Sequence, residues 1–336
     1  MKRTTFDRSL TRNIESRICS KRHADPPPHR SARCLQPRSG TPLDGRTSRV
    51  EIQPFFDEQT STLTYVVHDG RFAVVIDPVR NYDPKSARTS WRSAEEVAAH
   101  LDREGLSVPY VIDTHAHADH MTGLPFFKAR YGARSVTGSR VGEIQRVFRD
   151  IFDLGDAFPV DGRPFDVLID EGMRLRFGSL EVEALHTPGH TPAHMSWKIG
   201  DAVFLGDTLF MPDYGTARCD FPGGSASTLY DSIQRLYAMP EATRLFVCHD
   251  YRPGGRPVEH QTSVGEQKRK NVQIDAHTTR EQYVAFREKK DAELEAPALI
   301  LPSIQVNIRA GELPEPAANG TAYLKIPLDK LGGCGR

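Results

Sequence analysis

Hydrophobic and polar positions alternate in short runs along most of the chain. The runs 63–67 (Leu-Thr-Tyr-Val-Val) and 72–76 (Phe-Ala-Val-Val-Ile) flank His68-Asp69-Gly70-Arg71 and predict a hairpin, ended by Asp77-Pro78. Ser93 and Glu96 have the spacing of a capping box. Val97, His100 and Leu101 follow at helical intervals, and Gly105 supplies a stop. The apolar run 109–112 predicts a buried strand, and a helical stretch then passes through Phe126, Phe127 and Ala129 to Gly132. From 133 to 200 the pattern predicts short strands and turns, with 174–177 and 180–185 set about Gly178-Ser179. Runs 195–199 and 202–205 form a further hairpin about Gly200-Asp201. Leu229, Ile233, Leu236 and Tyr237 predict a helix, and 245–248 a last strand. Periodicity alone specifies a mixed α/β class and no more.

Composition narrows the classes without naming one. The chain has 336 residues, 38% hydrophobic and 26% charged, which fits an ordinary globular protein with one large core or two modest ones. Its longest apolar runs, such as 72–76 and 298–301, are far short of the ~20 residues a membrane helix needs, so no transmembrane segment is expected. Cys19, Cys34, Cys219, Cys248 and Cys334 are odd in number and widely spaced. With no C-x-x-C pair and no apolar signal segment, a reducing cytoplasm is expected.

Charge is neutral overall but uneven. Residues 1–49 carry twelve Lys or Arg against four Asp or Glu, a net of +8, so the remainder sums to −8. This Arg-, Ser- and Pro-rich stretch lacks any sustained period and is expected to be a disordered basic extension. A solvated extension, or upstream sequence brought into frame by an early start codon, is preferred over a targeting or nucleic-acid-contacting arm. Asp7 and Glu15 interrupt what would otherwise resemble a transit peptide.

The chemistry sits where strands end. Thr114-His115-Ala116-His117-Ala118-Asp119-His120 directly follows 109–112 and packs three imidazoles and a carboxylate into six residues. In an extended segment His115, His117 and Asp119 share a face, and the turn into Met121-Thr122-Gly123 can swing His120 round to join them. The strand 180–185 leads to His186-Thr187-Pro188-Gly189-His190, 202–205 to Gly206-Asp207-Thr208, and 245–248 to His249-Asp250-Tyr251. Taken singly, Asp207 reads equally well as a turn cap, His190 as a partner of a backbone carbonyl and His249 as a core residue. Strands of a sheet can end along one edge, however, so the loops converge on rigid supports, and the seven residues together are read as a metal site.

At these residues the chain resembles the metallo-β-lactamase superfamily. The T-H-x-H-x-D-H motif, the H-T-P-G-H segment, the G-D-T loop and the late H-D-Y histidine stand in family order over residues 50 to about 270. The resemblance implies an αββα sandwich of α/β (α+β) class with the metal at one edge of the packed sheets. It divides the chain into a catalytic domain over 50–275 and a C-terminal extension, 276–336, packed on it. The stretch Gly215-Thr216-Ala217-Arg218-Cys219-Asp220-Phe221-Pro222-Gly223-Gly224, with Leu229-Tyr230 and Cys248-His249-Asp250-Tyr251, is similar to the persulfide dioxygenases, in particular the bacterial group linked to hydrogen sulfide detoxification. Residues 301–311 and 323–328 resemble the same group.

That resemblance implies one Fe(II) per chain, held by His115, His190 and Asp207 as a facial triad that leaves positions open for a substrate sulfur and dioxygen. His117, Asp119, His120 and His249 are then implied to orient ligands or bind water, or to hold a second metal. Arg218 and Tyr251 are implied to lie near the thiol substrate, Arg218 pairing with a glutathione carboxylate and the Tyr251 hydroxyl reaching the substrate sulfur or oxygen. The implied reaction oxidises glutathione persulfide with O2 to sulfite and glutathione. Members of the group often form a homodimer, and the apolar stretch 299–308 is left with two readings, an interface or a cover for the sandwich. Cys219 reads as a packing residue in preference to a redox thiol, since nothing indicates a lowered pKa.

An alternative is a glyoxalase II-like hydrolase of glutathione thioesters with two metals, Zn, per chain. All seven ligand positions of such a site are present, with Asp207 bridging and a metal-bound hydroxide attacking the thioester carbonyl. The Arg218-Cys219-Asp220-Phe221 stretch and the C-terminal segment argue against it. A nucleic-acid partner is not expected, because the excess of positive charge stops at residue 49. No P-loop, G-x-G-x-x-G or G-x-S-x-G segment supports a nucleotide or serine-hydrolase reading.

Overall fold

The computed structural model describes residues 50–330, so the expected basic extension, 1–49, lies outside the described residues. Strands β1 (Glu51–Asp57), β2 (Thr62–His68) and β3 (Phe72–Ile76) form an antiparallel meander. After β4 (Val79–Asp83) and β5 (Arg88–Ser90) the chain enters helix α1 (Arg92–Arg103) and returns through β6 (Ser107–Ile112). A two-residue strand β7 (Met121–Thr122) precedes α2 (Leu124–Tyr131), β8 (Arg134–Gly138), α3 (Val141–Ile151) and β9 (Val167–Ile169). The first large sheet has the order β1-β2-β3-β6-β8-β9, and β3, β6, β8 and β9 run parallel.

The second half builds a matching sheet. It contains β10 (Arg174–Phe177), β11 (Leu180–His186), β12 (Met195–Ile199) and β13 (Ala202–Phe204) as consecutive antiparallel neighbours. Helix α4 (Ala226–Tyr237) then leads to β14 (Arg244–Phe246), parallel to β13, and β15 (Gln261–Ser263) closes the sheet. Helices α5 (Val264–Lys270), α6 (Arg280–Ala292) and α7 (Ile300–Asn307) follow.

Alternation along β2 and β3 explains how the layers stack. Leu63, Tyr65, Val67, Val74 and Ile76 face the second sheet, where they meet Val182, Trp197, Phe204 and Phe246. Their neighbours Val66, Ala73 and Val75 face outward onto Val97 and Leu101 of α1 and Leu124 and Phe127 of α2. With both faces covered, these strands read as nearly continuous apolar runs. Leu229, Ile233 and Leu236 of α4 belong to the same core as the second sheet, which completes the αββα sandwich.

Several local expectations change. Residues 141–151 form a helix where short strands and turns were predicted, because Val141, Ile144, Gln145 and Phe148 make a buried face that polar Gln145 and Gly142 obscure in the pattern. The capping box at Ser93 does not form: Trp91 precedes α1 with no side-chain cap. Ser93 Oγ donates instead to Asp57 Oδ2 at 2.7 Å and accepts from Asn81 Nδ2 at 2.9 Å, tying α1 to β1 and β4. The apolar run at 298–301 leads into α7. Ile304 and Ile308 are buried against Phe148, Phe152, Ala116 and Ala118, so within this chain the segment covers the core.

Because Ser93 serves a buried network, Ser93→Ala is expected to cost about 1–3 kcal/mol, the usual penalty for orphaning buried polar groups. Glu96→Ala, at an exposed position, should stay within about 0.5 kcal/mol. Denaturant unfolding of both variants checks the contrast, and equal losses would restore the capping reading.

Candidate metal centre

Because β3, β6, β11, β13 and β14 run in one direction within their sheets, their C-terminal ends can lie along a common edge. The edges are stitched together by Leu63 N–H donating to Cys248 O at 2.7 Å and Met195 N–H donating to Thr114 O at 2.9 Å. His115, His190 and Asp207 offer ligand atoms within 4.8 Å of one another, and so do His117, Asp119, His120 and His249. All seven sequence-predicted ligands therefore come together at one rim. His115 Nε2, His117 Nδ1, His120 Nε2, His249 Nε2 and Asp207 Oδ1 are buried and have no hydrogen-bond partner. Such a set is costly unless a cation completes it, so the residues present fit a metal ion.

The opposite side of each imidazole is held. Asp77 ends β3 in the left-handed region, at φ 49°, and turns its carboxylate under the histidine loop. It accepts from Thr114 N–H at 2.7 Å, from Thr114 Oγ1 at 3.0 Å and from His117 Nε2–H at 3.1 Å. Since Thr114 Oγ1 donates to Asp77, it accepts from His115 Nδ1–H at 3.0 Å, which leaves His115 Nε2 for the metal. His190 Nδ1–H donates to Arg218 O at 2.8 Å, freeing its Nε2 in the same way. His194 Nε2 accepts from Asp207 N–H at 2.8 Å and so places the carboxylate ligand. Gly206, with φ 55°, lets that backbone approach: a Cβ there would sit 2.5 Å from the His194 ring.

Charge is unequally distributed over the cluster. Burial favours the neutral acid at Asp207, but His249 and then His190 bring its carboxyl down to about 2. Burial likewise opposes the charged form of His117, which Asp77 lifts to about 9, and of His249, which Asp119 and Asp207 lift to about 10. His115 and His194 are driven the other way by burial and by neighbouring imidazoles, His194 to about 3. Asp119 Oδ2 lies 3.3 Å from both His120 Nδ1 and His249 Nε2.

The rim opens into a cleft of about 530 Å³ lined in part by Asp119, His190, Asp207, Tyr214, Tyr251 and Lys290. Phe210, Tyr214 and His249 hold the Tyr251 ring, with centroids at 5.6, 4.6 and 5.7 Å. Desolvation, together with the carboxylates of Asp207 and Asp119, pushes the Tyr251 hydroxyl well above its usual range, so it remains a hydrogen-bond donor. Arg218 also lines the cleft, but its guanidinium is committed within the chain. Its Nε and Nη2 donate to Asp220 at 2.6 Å each and its Nη1 to Glu295 O at 2.7 Å. The two-donor fork expected to take a substrate carboxylate is thus occupied by Asp220. Cys219 is buried, and burial pushes its thiol up, in keeping with packing and not with redox reactivity.

Asp77, His194 and Lys290 are absent from the residues singled out in the sequence. Asp77 directly follows β3 and His194 directly precedes β12, and nothing in their local pattern shows the ligand loops they touch. Lys290 had no signal, since only packing of α6 brings it to the cleft.

The model of the metallo-beta-lactamase superfamily matches residues 58–249, and the chain belongs to that superfamily. A probable metallo-hydrolase of Burkholderia pseudomallei is 46% identical over 83% of this chain and 99% of its own length. Glyoxylase B2 of Dictyostelium discoideum is 41% identical, over 84% of this chain and 98% of its own. The mitochondrial persulfide dioxygenase ETHE1 of Homo sapiens is 30% identical, over 62% of this chain and 71% of its own. The crystal structure of ETHE1 from Myxococcus xanthus matches with a TM-score of 0.63 at 30% identity, covering 78% of this chain and 100% of that one. The protein is thus a metal-binding enzyme of the superfamily, similar to the persulfide dioxygenase group. No helix among the described residues is long and apolar enough to cross a membrane.

His115→Ala, His190→Ala and Asp207→Ala are each expected to abolish metal retention after dialysis. His249→Ala should retain metal with affinity lowered about 10- to 100-fold, as when a residue behind the ligands is removed. Metal analysis of the four variants decides the matter, since complete loss in His249→Ala would indicate a second metal sharing Asp207.

Proposed function

We propose that the protein is an iron-dependent persulfide dioxygenase that oxidises glutathione persulfide with O2 and water to sulfite and glutathione. The observation that carries this reading is the separate group of two imidazoles and one carboxylate, His115, His190 and Asp207, at the head of an open cleft. Fe(II) held there would supply adjacent open positions for a persulfide sulfur and dioxygen. Asp77 accepts from His117 Nε2–H, and Asp119 Oδ2 lies 3.3 Å from His120 Nδ1 and from His249 Nε2, so carboxylates of the chain stand beside these three imidazoles. The similarity to human and myxobacterial ETHE1 supports the same choice.

Each neighbouring group then has a task. Asp77, through Thr114, and the Arg218 carbonyl hold His115 and His190 in the tautomers that present Nε2. The Tyr251 hydroxyl donates to the persulfide sulfur or to oxygen as negative charge develops there. Lys290 has no carboxylate partner within 4.0 Å among the described residues, and burial and then Arg287 lower its pKa, so the cleft holds a cation in need of an anion. A glutathione carboxylate meets that need, whereas Arg218 acts through its carbonyl on His190. The bridging position of Asp207, 3.3 Å from His249, and the hydrolase names of the more similar relatives favour a second reading, dinuclear hydrolysis of glutathione thioesters.

Protein purified without oxygen is expected to consume O2 and form sulfite from glutathione persulfide, and to leave a glutathione thioester intact. Thioester hydrolysis without O2 uptake would establish the second reading instead. Lys290→Ala should raise KM with little change in kcat, losing roughly 10- to 150-fold in kcat/KM for a charge-assisted contact of about 1.5–3 kcal/mol. Tyr251→Phe should lower kcat at nearly constant KM, and the two variants measured side by side separate binding from chemistry.

A further inference from the structure

We propose that Asn307 is a positioning residue for the metal centre: delivered from α7, its carboxamide sets the backbone spacing of His117 and His120 and thereby the affinity of the rim for its metal ion. Asn307 is almost fully buried, at 1% exposure, and belongs to the last turn of a helix 185 residues further along the chain than Thr122. Both of its N–H bonds are used on the histidine loop. Nδ2 donates to His117 O at 2.8 Å and to His120 O at 2.8 Å, while Oδ1 accepts from Thr122 N–H at 2.8 Å. One side chain therefore pins the loop at residues 117, 120 and 122.

The loop needs such a clamp. Residues 113–120 have no helix or strand, so no backbone ladder fixes the separation of the imidazoles they carry. His117 Nδ1 and His120 Nε2 are buried and unpartnered, and both rings hang on the backbone that Asn307 holds, so movement of either carbonyl shifts an imidazole of the rim. The clamp is itself anchored. Ile304 and Ile308 are buried against Phe148 and Phe152, Gln145 Nε2 donates to Ile308 O at 2.9 Å, and Arg80 Nη1 donates to Gly311 O at 3.3 Å. Among neutral side chains, only a carboxamide offers two N–H donors and an acceptor in this planar arrangement. Aspartate keeps the shape but, when ionised, faces both carbonyls with no proton to give.

The inference rests on the metal centre and not on the choice of substrate: with one metal His117 and His120 back the ligand set, and with two they would join it. Its test is Fe(II) binding to the full chain without oxygen, by competition against a ferrous chelator, beside thermal melting of the metal-free protein. Asn307→Asp is expected to lower Fe(II) affinity about 10- to 100-fold, as for other residues that orient ligands. Leu101→Ala, a buried change in α1 outside the cluster that holds α7 and the loop, should lower the melting temperature with affinity within about threefold of the unsubstituted chain. Unchanged affinity in Asn307→Asp, or an equal loss in Leu101→Ala, would overturn the proposal. A measurement on the unsubstituted chain covers the case in which Asn307→Asp does not fold. Coupling is reciprocal, so Fe(II) loading should slow amide hydrogen exchange at Thr122 and through α7. Protection confined to residues 115–120, with α7 unchanged, would equally overturn it.

Discussion

The buried carboxylate of Asp77 is the tie on which the metal-binding rim depends. It ends one strand, accepts from the Thr114 backbone and hydroxyl at the end of the next, and fixes His117 directly and His115 through Thr114. Burial alone would keep this acid neutral, yet His117 and the donors around it hold its pKa below the usual carboxylate value. Losing the tie would leave an imidazole and a threonine unsatisfied in a dry interior and free two ligands to turn. Its left-handed backbone is a strain that the surrounding core sustains.

The sandwich makes that local arrangement possible. Parallel neighbours β3 and β6 send Asp77 and the histidine loop to one edge, and β13 and β14 send Asp207 and His249 to the corresponding edge of the other sheet. Tyr65 shows how closely the layers are joined: buried between Phe204 and Phe246, its hydroxyl donates to Val247 O at 2.6 Å, two residues before His249. Helix α6 contributes Lys290 to the cleft and α7 supports the loop from below. Ligands, cleft and support thus come from segments far apart in sequence, each standing on the same core.

Much of this was legible in the chain. Strands β2, β3, β11 and β12 appear as alternating or apolar runs broken by glycine turns, and each candidate ligand follows such a run. What the pattern concealed has physical causes. Helix α3 hides because Gly142 and Gln145 occupy buried positions for close packing and hydrogen bonding, not for hydrophobicity. Ser93 looked like a cap because local spacing cannot show that Asp57, 36 residues earlier, competes for its hydroxyl. Arg218 looked free for substrate because bidentate pairing with Asp220 depends on rotamers that no spacing encodes. Asp77, His194 and Asn307 act on the ligands through contacts of long sequence separation, which become visible only once the sheets are assembled.

Two imidazoles and a carboxylate at an open cleft, backed by fixed hydrogen bonds, suit a catalytic ion with open positions better than a closed structural site. The same rim carries a complete second set of donors, so metal number is the point on which oxidation and hydrolysis part. Anomalous diffraction at the iron edge from crystals grown with Fe(II) under anaerobic conditions tests this most directly. A single peak within bonding distance of His115, His190 and Asp207, with His120 and His249 unligated, is the predicted result. Two peaks bridged by Asp207, the second bound by Asp119, His120 and His249, would contradict it.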